Sequence, residues 1–241
     1  MKQSTICILT GAKGGGKTHT AREIISIHPR VFAMEPHGGE FRLPGAVQVY
    51  DAEELREAAN ANWRRSSFLV VCVPNYDVQE ASEEVARLSF DYGNLLAVFD
   101  EAADYMTASS MGSEMGRLAR QSRHRNCNVV FASPRLADLN ANARTQADLW
   151  ICCGPIWTRR DLEVIEENTS TEFRRSCQEP LSHGEFRRLA FDTRTREQIT
   201  LDKAKLRELF GVSRFAVPLT IRAQPKEGPR RGFFVARGRV W

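Results

Sequence analysis

Short apolar runs recur along the chain and alternate with segments whose apolar residues follow a helical period. The runs are rich in valine, isoleucine and phenylalanine, and several are apolar throughout, as expected for strands covered on both faces. They predict β-strands at 4–10, 31–35, 46–50, 67–73, 95–99, 127–132 and 148–153. Strands that alternate with helices indicate an α/β fold with a mainly parallel sheet and helices on both of its faces.

The intervening segments carry helix signals. Capping boxes, in which an acidic side chain closes the first turn, begin at Asp51 and at Asp77. Met111, Met115 and Leu118 share one helical face, which predicts core packing for them. The other predicted elements are a helix over 111–122, a helix over 159–168 and a hairpin of 186–192 with 196–202.

Composition limits the class of protein. The chain has 241 residues, 42% of them hydrophobic and 27% charged, which is typical of a globular chain with a real core. No apolar run approaches the ~20 residues of a membrane-spanning helix, and the apolar stretch at the N-terminus is too short for a secretory signal. We therefore expect a cytoplasmic protein. The six cysteines form no CxxC pair, which predicts buried thiols and no structural metal.

A glycine-rich loop between the first strand and the first helix is the strongest motif. Residues 11–18, GAKGGGKT, match the P-loop pattern GxxxxGK[ST]. Glycines let backbone N–H groups face phosphate oxygens, and the helix N-terminus adds partial positive charge. Lys17 is predicted to reach the β- and γ-phosphates of ATP, and the Thr18 hydroxyl to ligate Mg²⁺. The predicted nucleotide-binding residues are Gly11, Gly14, Gly15, Gly16, Lys17, Thr18 and His19.

Two carboxylates follow the strand 95–99 and form a Walker B pattern. Asp100 is predicted to hold Mg²⁺ through its water shell. Glu101 is predicted to orient and deprotonate the attacking water, because hydrolysis needs a base beside the γ-phosphate. Downstream of a P-loop, the pair favours hydrolysis of ATP by water over phosphoryl transfer to a small molecule.

Further segments resemble one ATPase family. Residues 35–41, EPHGGEF, are similar to the acid-Pro-His-Gly-Glu-aromatic turn of HerA-type ATPases, and 100–102, DEA, resembles their Walker B ending. Segment 117–150, with its arginine-rich turn and apolar strand, resembles their next stretch. Over residues 4–153 the chain is thus similar to the FtsK–HerA superfamily. In its small size the chain is most similar to the genome-packaging ATPases of membrane-containing icosahedral viruses.

The resemblance implies an ASCE-type, RecA-like P-loop NTPase fold and a homo-oligomeric ring, usually a hexamer, that moves double-stranded DNA. Capsid or viral membrane proteins are further expected partners, and the host cytoplasm or the virion is the expected location. The resemblance also implies an arginine finger that reaches a neighbour's γ-phosphate. The first candidates are Arg123 and Arg125. One departure is Pro134, which stands where the family has a glutamine that senses the γ-phosphate. Either Ser133 is a weaker sensor, or the coupling to the γ-phosphate differs from that of the family.

Basic charge is concentrated at the C-terminal end. Residues 222–241 carry a net charge of +5, whereas the whole chain carries +4. The sequence predicts a P-loop ATPase domain over 1–210 and an extended basic arm over 211–241. The arm either contacts DNA phosphates or anchors on a neighbouring subunit or capsid protein, since a merely solvated tail needs no aromatic residues. Its aromatic residues are Phe233, Phe234 and Trp241.

Alternatives to a DNA translocase remain. A zonula-occludens-toxin-like assembly ATPase of filamentous phage shares the core, although such proteins commonly carry a membrane segment. A P-loop nucleoside kinase of the thymidine-kinase type also pairs a P-loop with Asp-Glu, but it carries paired CxxC motifs that this sequence lacks. A nucleotide-gated binding module with little turnover is disfavoured by Glu101.

Overall fold

A single mixed sheet forms the centre of the computed structural model, which describes residues 4–181 and 187–210. Its strands are β1 Ile6–Thr10, β2 Arg30–Met34, β3 Ala46–Val49, β4 Phe68–Cys72, β5 Leu96–Phe99, β6 Asn128–Ser133, β7 Leu149–Cys153, β8 Arg188–Asp192 and β9 Glu197–Ile199. The order across the sheet is β3-β4-β2-β5-β6-β1-β7-β8-β9. The strands from β3 to β7 are parallel, and β8 and β9 are added antiparallel. The predicted mainly parallel sheet and the C-terminal hairpin are confirmed.

The helices connect these strands. They are α1 Lys17–Ile27, α2 Ala52–Asn62, α3 Val78–Tyr92, α4 Ser113–Gln121, α5 Ala141–Thr145, α6 Arg159–Asn168, α7 Thr171–Gln178 and α8 Lys203–Phe210. Asp51 caps α2, because its side chain accepts hydrogen bonds from the N–H groups of Glu53 and Glu54. Asp77 caps α3 by accepting from the N–H of Glu80. Both predicted helix starts are therefore correct.

Differences from the predicted elements are confined to short segments. The helix predicted over 111–122 ends at Gln121 and continues as a 3₁₀ turn, Ser122–Arg125. The strand predicted over 196–202 is shorter, Glu197–Ile199, and α8 follows it. The helices α5, α7 and α8 were not predicted, because eight residues or fewer carry little periodic signal. The predicted arm over 211–241 lies outside the described residues.

The core has two halves, one on each face of the sheet. Alternate residues of the central strands point to opposite faces. Ile8 and Cys152 belong to the half covered by α2 to α7, whereas Leu9 and Cys153 belong to the half covered by α1 and α8. All six cysteines are buried and free, as predicted. No helix among the described residues is long and apolar enough to cross a membrane.

The carboxyl ends of the parallel strands meet at one edge of the sheet, which is where ligands bind in open α/β sheets. The P-loop follows β1, Glu35 follows β2 and Asp100 follows β5 at this edge. Gly154 follows β7 there. The sheet therefore gathers segments that are far apart in sequence at a single edge.

Candidate nucleotide site

The P-loop is packed tightly against the end of β7. A Cβ atom on Gly11 would lie 2.1 Å from the main-chain oxygen of Cys153, and a Cβ on Gly15 would lie 2.5 Å from the same oxygen. Gly14 is at the open tip of the loop, where a Cβ would meet nothing within 4 Å. Gly16 has φ of 96° and turns the chain into α1. Glycine is thus needed for close packing as well as for access to phosphate.

The N-terminus of α1 is suited to an anion. Its first turn contains no acidic residue, and no side chain in the described part of the chain caps its N–H groups. Those groups and the helix dipole favour negative charge at this end. Thr18 lies half-buried in this first turn, and His19 is exposed with its Nε2 3.6 Å from Oε1 of Glu23.

Lys17 is buried and closes the loop on itself. Its Nζ donates a hydrogen bond of 3.0 Å to the carbonyl oxygen of Gly11. That acceptor is neutral, and a charged phosphate oxygen is a stronger acceptor for an ammonium group. The side chain is therefore held beside the glycine-rich turn of the loop.

Asp100 and Glu101 lie at the same edge. The pKa of Asp100 is raised from 3.8 to about 6, mainly by burial and also by the nearby Glu101 charge, whereas the Lys17 charge lowers it. The P-loop and the Walker B pair follow parallel strands at this edge, near enough for the Lys17 charge to lower the pKa of Asp100. Glu101 has φ of 47°, a left-handed conformation that is uncommon for a residue other than glycine. Backbone strain of this kind is concentrated at functional sites.

The oxygen atoms at this edge fit Mg²⁺. The metal prefers oxygen ligands and is usually held by one or two carboxylates together with substrate phosphates and water. The Thr18 hydroxyl and the Asp100 carboxylate supply such oxygens. Among the described residues there is no group of three or more His, Cys, Asp and Glu side chains that would form a metal site by themselves.

Glu35 joins the turn after β2 to this site. Its buried carboxylate accepts hydrogen bonds from the N–H of Glu40 and from the N–H of Phe41, the latter at 3.0 Å. The Glu35 charge also raises the pKa of Asp100. On the same turn, Nε2 of His37 lies 3.3 Å from Oδ2 of Asp104, four residues after Asp100. In the sequence this turn was recognised only by its resemblance to HerA-type ATPases. The structure shows that it contacts the segment that follows the Walker B pair.

Two hydroxyl groups lie side by side at the ends of β1 and β6. Thr10 and Ser133 are paired across the two strands, and both are buried. The Ser133 hydroxyl donates to the carbonyl of Arg135 at 2.9 Å and accepts from its N–H at 3.2 Å, so it is committed to the local turn. The Thr10 hydroxyl has no hydrogen-bond partner within the part of the chain that the structure describes. Thr10 was not singled out by the sequence motifs.

The candidate arginine fingers lie at the opposite edge of the sheet. Arg123 and Arg125 precede β6, whereas the P-loop follows β1, and the two strands run parallel. A six-residue strand spans roughly 20 Å, so neither side chain belongs to the site of its own chain. The Arg125 guanidinium donates to the carbonyls of Phe90, at 2.7 Å, and of Asp91. Arg123 is exposed.

The glycine-rich loop, the paired carboxylates and the sheet order together define a P-loop NTPase fold, as the sequence predicts. The structure is similar to that of the genome-packaging NTPase B204 from Sulfolobus turreted icosahedral virus 2. The AMPPCP complex of B204 matches with a TM-score of 0.62 and 19% identity, over 83% of this chain and 97% of B204. Its sulfate complex matches with a TM-score of 0.66 and 16% identity, over 81% and 95% of the two chains.

Other comparisons are weaker or negative. The N-terminal domain of zonular occludens toxin from Neisseria meningitidis matches with a TM-score of 0.43 and 18% identity, over 86% of this chain and 98% of that domain. No protein-family model matches the sequence, and no curated protein matches it. The similarity to B204 confirms the predicted P-loop NTPase fold.

Proposed function

We propose that the chain binds ATP with Mg²⁺ and hydrolyses it. The observation that carries the proposal is the convergence of Lys17 with Asp100 and Glu101 at the carboxyl edge of a parallel sheet. The fold is that of B204, whose structures include complexes with AMPPCP and ATP-gammaS. Phosphate binding, metal binding and a base are the three provisions that phosphoryl transfer to water requires.

Each residue has a distinct task in this proposal. The backbone N–H groups of the P-loop and the Lys17 ammonium bind the phosphates and stabilise their negative charge. Thr18 and Asp100 hold Mg²⁺, which neutralises phosphate charge when bound. Glu101 positions the attacking water and accepts its proton. Glu35 fixes the adjoining turn through two backbone N–H groups and so supports the Walker B segment.

We further propose that hydrolysis drives movement of double-stranded DNA, as a viral genome-packaging motor. Similarity to a genome-packaging NTPase over 97% of that chain supports this proposal. A homo-oligomeric ring, usually a hexamer, is part of this proposal. Arg123 lies at the sheet edge opposite its own P-loop, so as an arginine finger it would contact the γ-phosphate bound by a neighbouring subunit. The host cytoplasm is the expected location, with capsid or viral membrane proteins as partners.

The rate of phosphate release with and without double-stranded DNA tests the proposal, measured together with molar mass by light scattering. We expect an oligomer whose ATP hydrolysis rises severalfold on double-stranded DNA. Glu101→Gln protein is the control for contaminating ATPase. Hydrolysis by an assembled oligomer that DNA leaves unchanged would contradict DNA translocation while leaving ATP hydrolysis intact. Transfer of the phosphate to an added nucleoside would instead identify a kinase.

A further inference from the structure

Trp157 is an exposed indole on the segment that follows β7. It is 63% exposed, more than the other large hydrophobic side chains that are exposed among the described residues, Val47 at 43% and Tyr50 at 44%. None of the ring–ring or ring–guanidinium contacts among the described residues involves its indole. Leaving a tryptophan ring in water forgoes the large free energy that burying it would contribute. Stacking of a flat partner on the Trp157 ring would recover part of that free energy.

The segment that carries Trp157 begins beside the P-loop. The main-chain oxygen of Cys153 lies against Gly15, and a Cβ on Gly154 would lie 3.5 Å from the Cα of Gly15. Trp157 is three residues further on, within roughly 10 Å of Gly154 even for a fully extended chain. The base of a bound nucleotide lies one ribose beyond the phosphates. A base that leaves the P-loop on the β7 side therefore comes within reach of this ring.

The backbone around Trp157 is fixed at several points. The N–H of Gly154 donates to the carbonyl of Arg187 at 3.0 Å, and the N–H of Ile156 donates to the carbonyl of Cys177 at 2.8 Å. The Ile156 side chain is buried, and Thr158 is the N-cap residue of α6. The main chain that carries the indole is therefore already ordered, so stacking of a ligand costs only the rotamer freedom of the side chain.

We propose that Trp157 is the stacking platform for the purine base of the nucleotide whose phosphates occupy the P-loop. This inference rests on the proposed ATP binding and adds its base site. Stacking on an aromatic ring tolerates different bases, and a purine offers the larger face. Trp157 therefore strengthens binding of both ATP and GTP and favours them over UTP.

Calorimetric titration of wild-type, Trp157→Ala and Trp157→Phe proteins with ATP, UTP and inorganic tripolyphosphate tests this inference. We expect Trp157→Ala to weaken ATP binding about tenfold, since one stacked base contributes about that much. Binding of UTP should weaken less, binding of tripolyphosphate should be unchanged, and Trp157→Phe should recover part of the lost ATP affinity. Tyr50→Ala is the matched control, because Tyr50 is an exposed aromatic residue beside β3, six strands from β7.

The possible results are distinguishable. If Trp157→Ala weakened binding of ATP and of tripolyphosphate equally, Trp157 would act through the P-loop, and the proposed base site would be overturned. Unchanged ATP affinity in Trp157→Ala, with wild-type protein that binds ATP, would also overturn it. Wild-type protein that binds neither ATP nor tripolyphosphate would overturn the proposed function, and the base site with it. Because Trp157 is exposed, circular dichroism should show the same melting temperature in the variants as in wild type.

Discussion

Gly15 lies so close to Cys153 that a Cβ on the glycine would sit 2.5 Å from the cysteine's main-chain oxygen. The contact joins the P-loop to the end of β7, although 138 residues separate the two in the chain. Atoms essentially never approach that closely without a bond, so any side chain at position 15 must displace main chain. The P-loop's shape therefore depends on β7 as well as on its own glycines.

Substitution of Gly15 tests this packing. We expect Gly15→Ala to push the P-loop away from β7, to lower the free energy of unfolding by roughly 1–3 kcal/mol and to weaken ATP binding at least tenfold. Chemical denaturation and calorimetric titration measure the two effects. Gly14→Ala is the matched control, because a Cβ there meets nothing within 4 Å and its φ of 78° costs only about 1 kcal/mol. Equal effects of the two substitutions would contradict the role of the β7 contact.

Binding and hydrolysis should separate between the two motifs. Lys17→Ala removes the ammonium that we propose binds the phosphates, so we expect ATP affinity to fall at least tenfold. Glu101→Gln keeps the size of the side chain and removes the proposed base, so we expect ATP binding near the wild-type level and hydrolysis reduced at least a hundredfold. Calorimetric titration with ATP measures the affinity, and phosphate release measures the rate of hydrolysis. Hydrolysis at the wild-type rate in Glu101→Gln would show that the Walker B assignment is wrong.

Asp100 should make stability fall as pH rises. Its pKa is raised from 3.8 to about 6, so the folded state holds a proton that the unfolded chain releases. The folded state is therefore penalised progressively between these two values, by about 3 kcal/mol once pH exceeds both. We expect Asp100→Asn to be more stable than wild type at pH 7 and equally stable below pH ~4. Its Mg²⁺-dependent hydrolysis of ATP should be lost.

Urea denaturation of both proteins across this pH range measures the effect. The control is Asp104→Asn, because that carboxylate is exposed and its substitution should change stability by less than about 0.5 kcal/mol. A constant stability difference between Asp100→Asn and wild type at every pH would contradict the raised pKa.

Arg123 and Arg125 should behave differently. Arg125→Ala removes bonds to two main-chain carbonyls of α3, so we expect a loss of about 1–3 kcal/mol of stability. Arg123→Ala should keep wild-type stability and ATP binding but hydrolyse poorly. Mixing it with Glu101→Gln should restore part of the activity, because an intact site then meets an intact Arg123 at one interface. Mixed rings without any recovered hydrolysis would exclude Arg123 as a finger in trans.

The arm beyond Thr220 can be tested by truncation, although it lies outside the described residues. Its removal takes away five net positive charges. If the arm contacts DNA, the slope of log affinity against log salt should flatten by about 0.9 for each lost phosphate contact. If it anchors a neighbouring subunit, light scattering should show a smaller oligomer, and ATP hydrolysis should fall too. An unchanged slope with an unchanged oligomer would contradict both roles.

Much of the site was readable from sequence because its motifs are local. The P-loop needs contiguous glycines, lysine and threonine, and the Walker B pair needs two carboxylates after an apolar strand. The predicted strands and the helix starts at Asp51 and Asp77 rest on periodicity and capping, which neighbouring residues determine. These patterns can be recognised from neighbouring residues alone.

What only the tertiary structure decided is which distant segments meet. The order of strands brings the end of β7 against Gly15 and sets the buried Glu35 near Asp100, and it leaves the Thr10 hydroxyl without a partner among the described residues. It also places Arg123 and Arg125 at the edge opposite the P-loop. Sequence patterns record spacing along the chain, but contacts between strands depend on which strand lies beside which, and burial sets the pKa of Asp100. Those relationships arise when the sheet packs, so no local pattern encodes them.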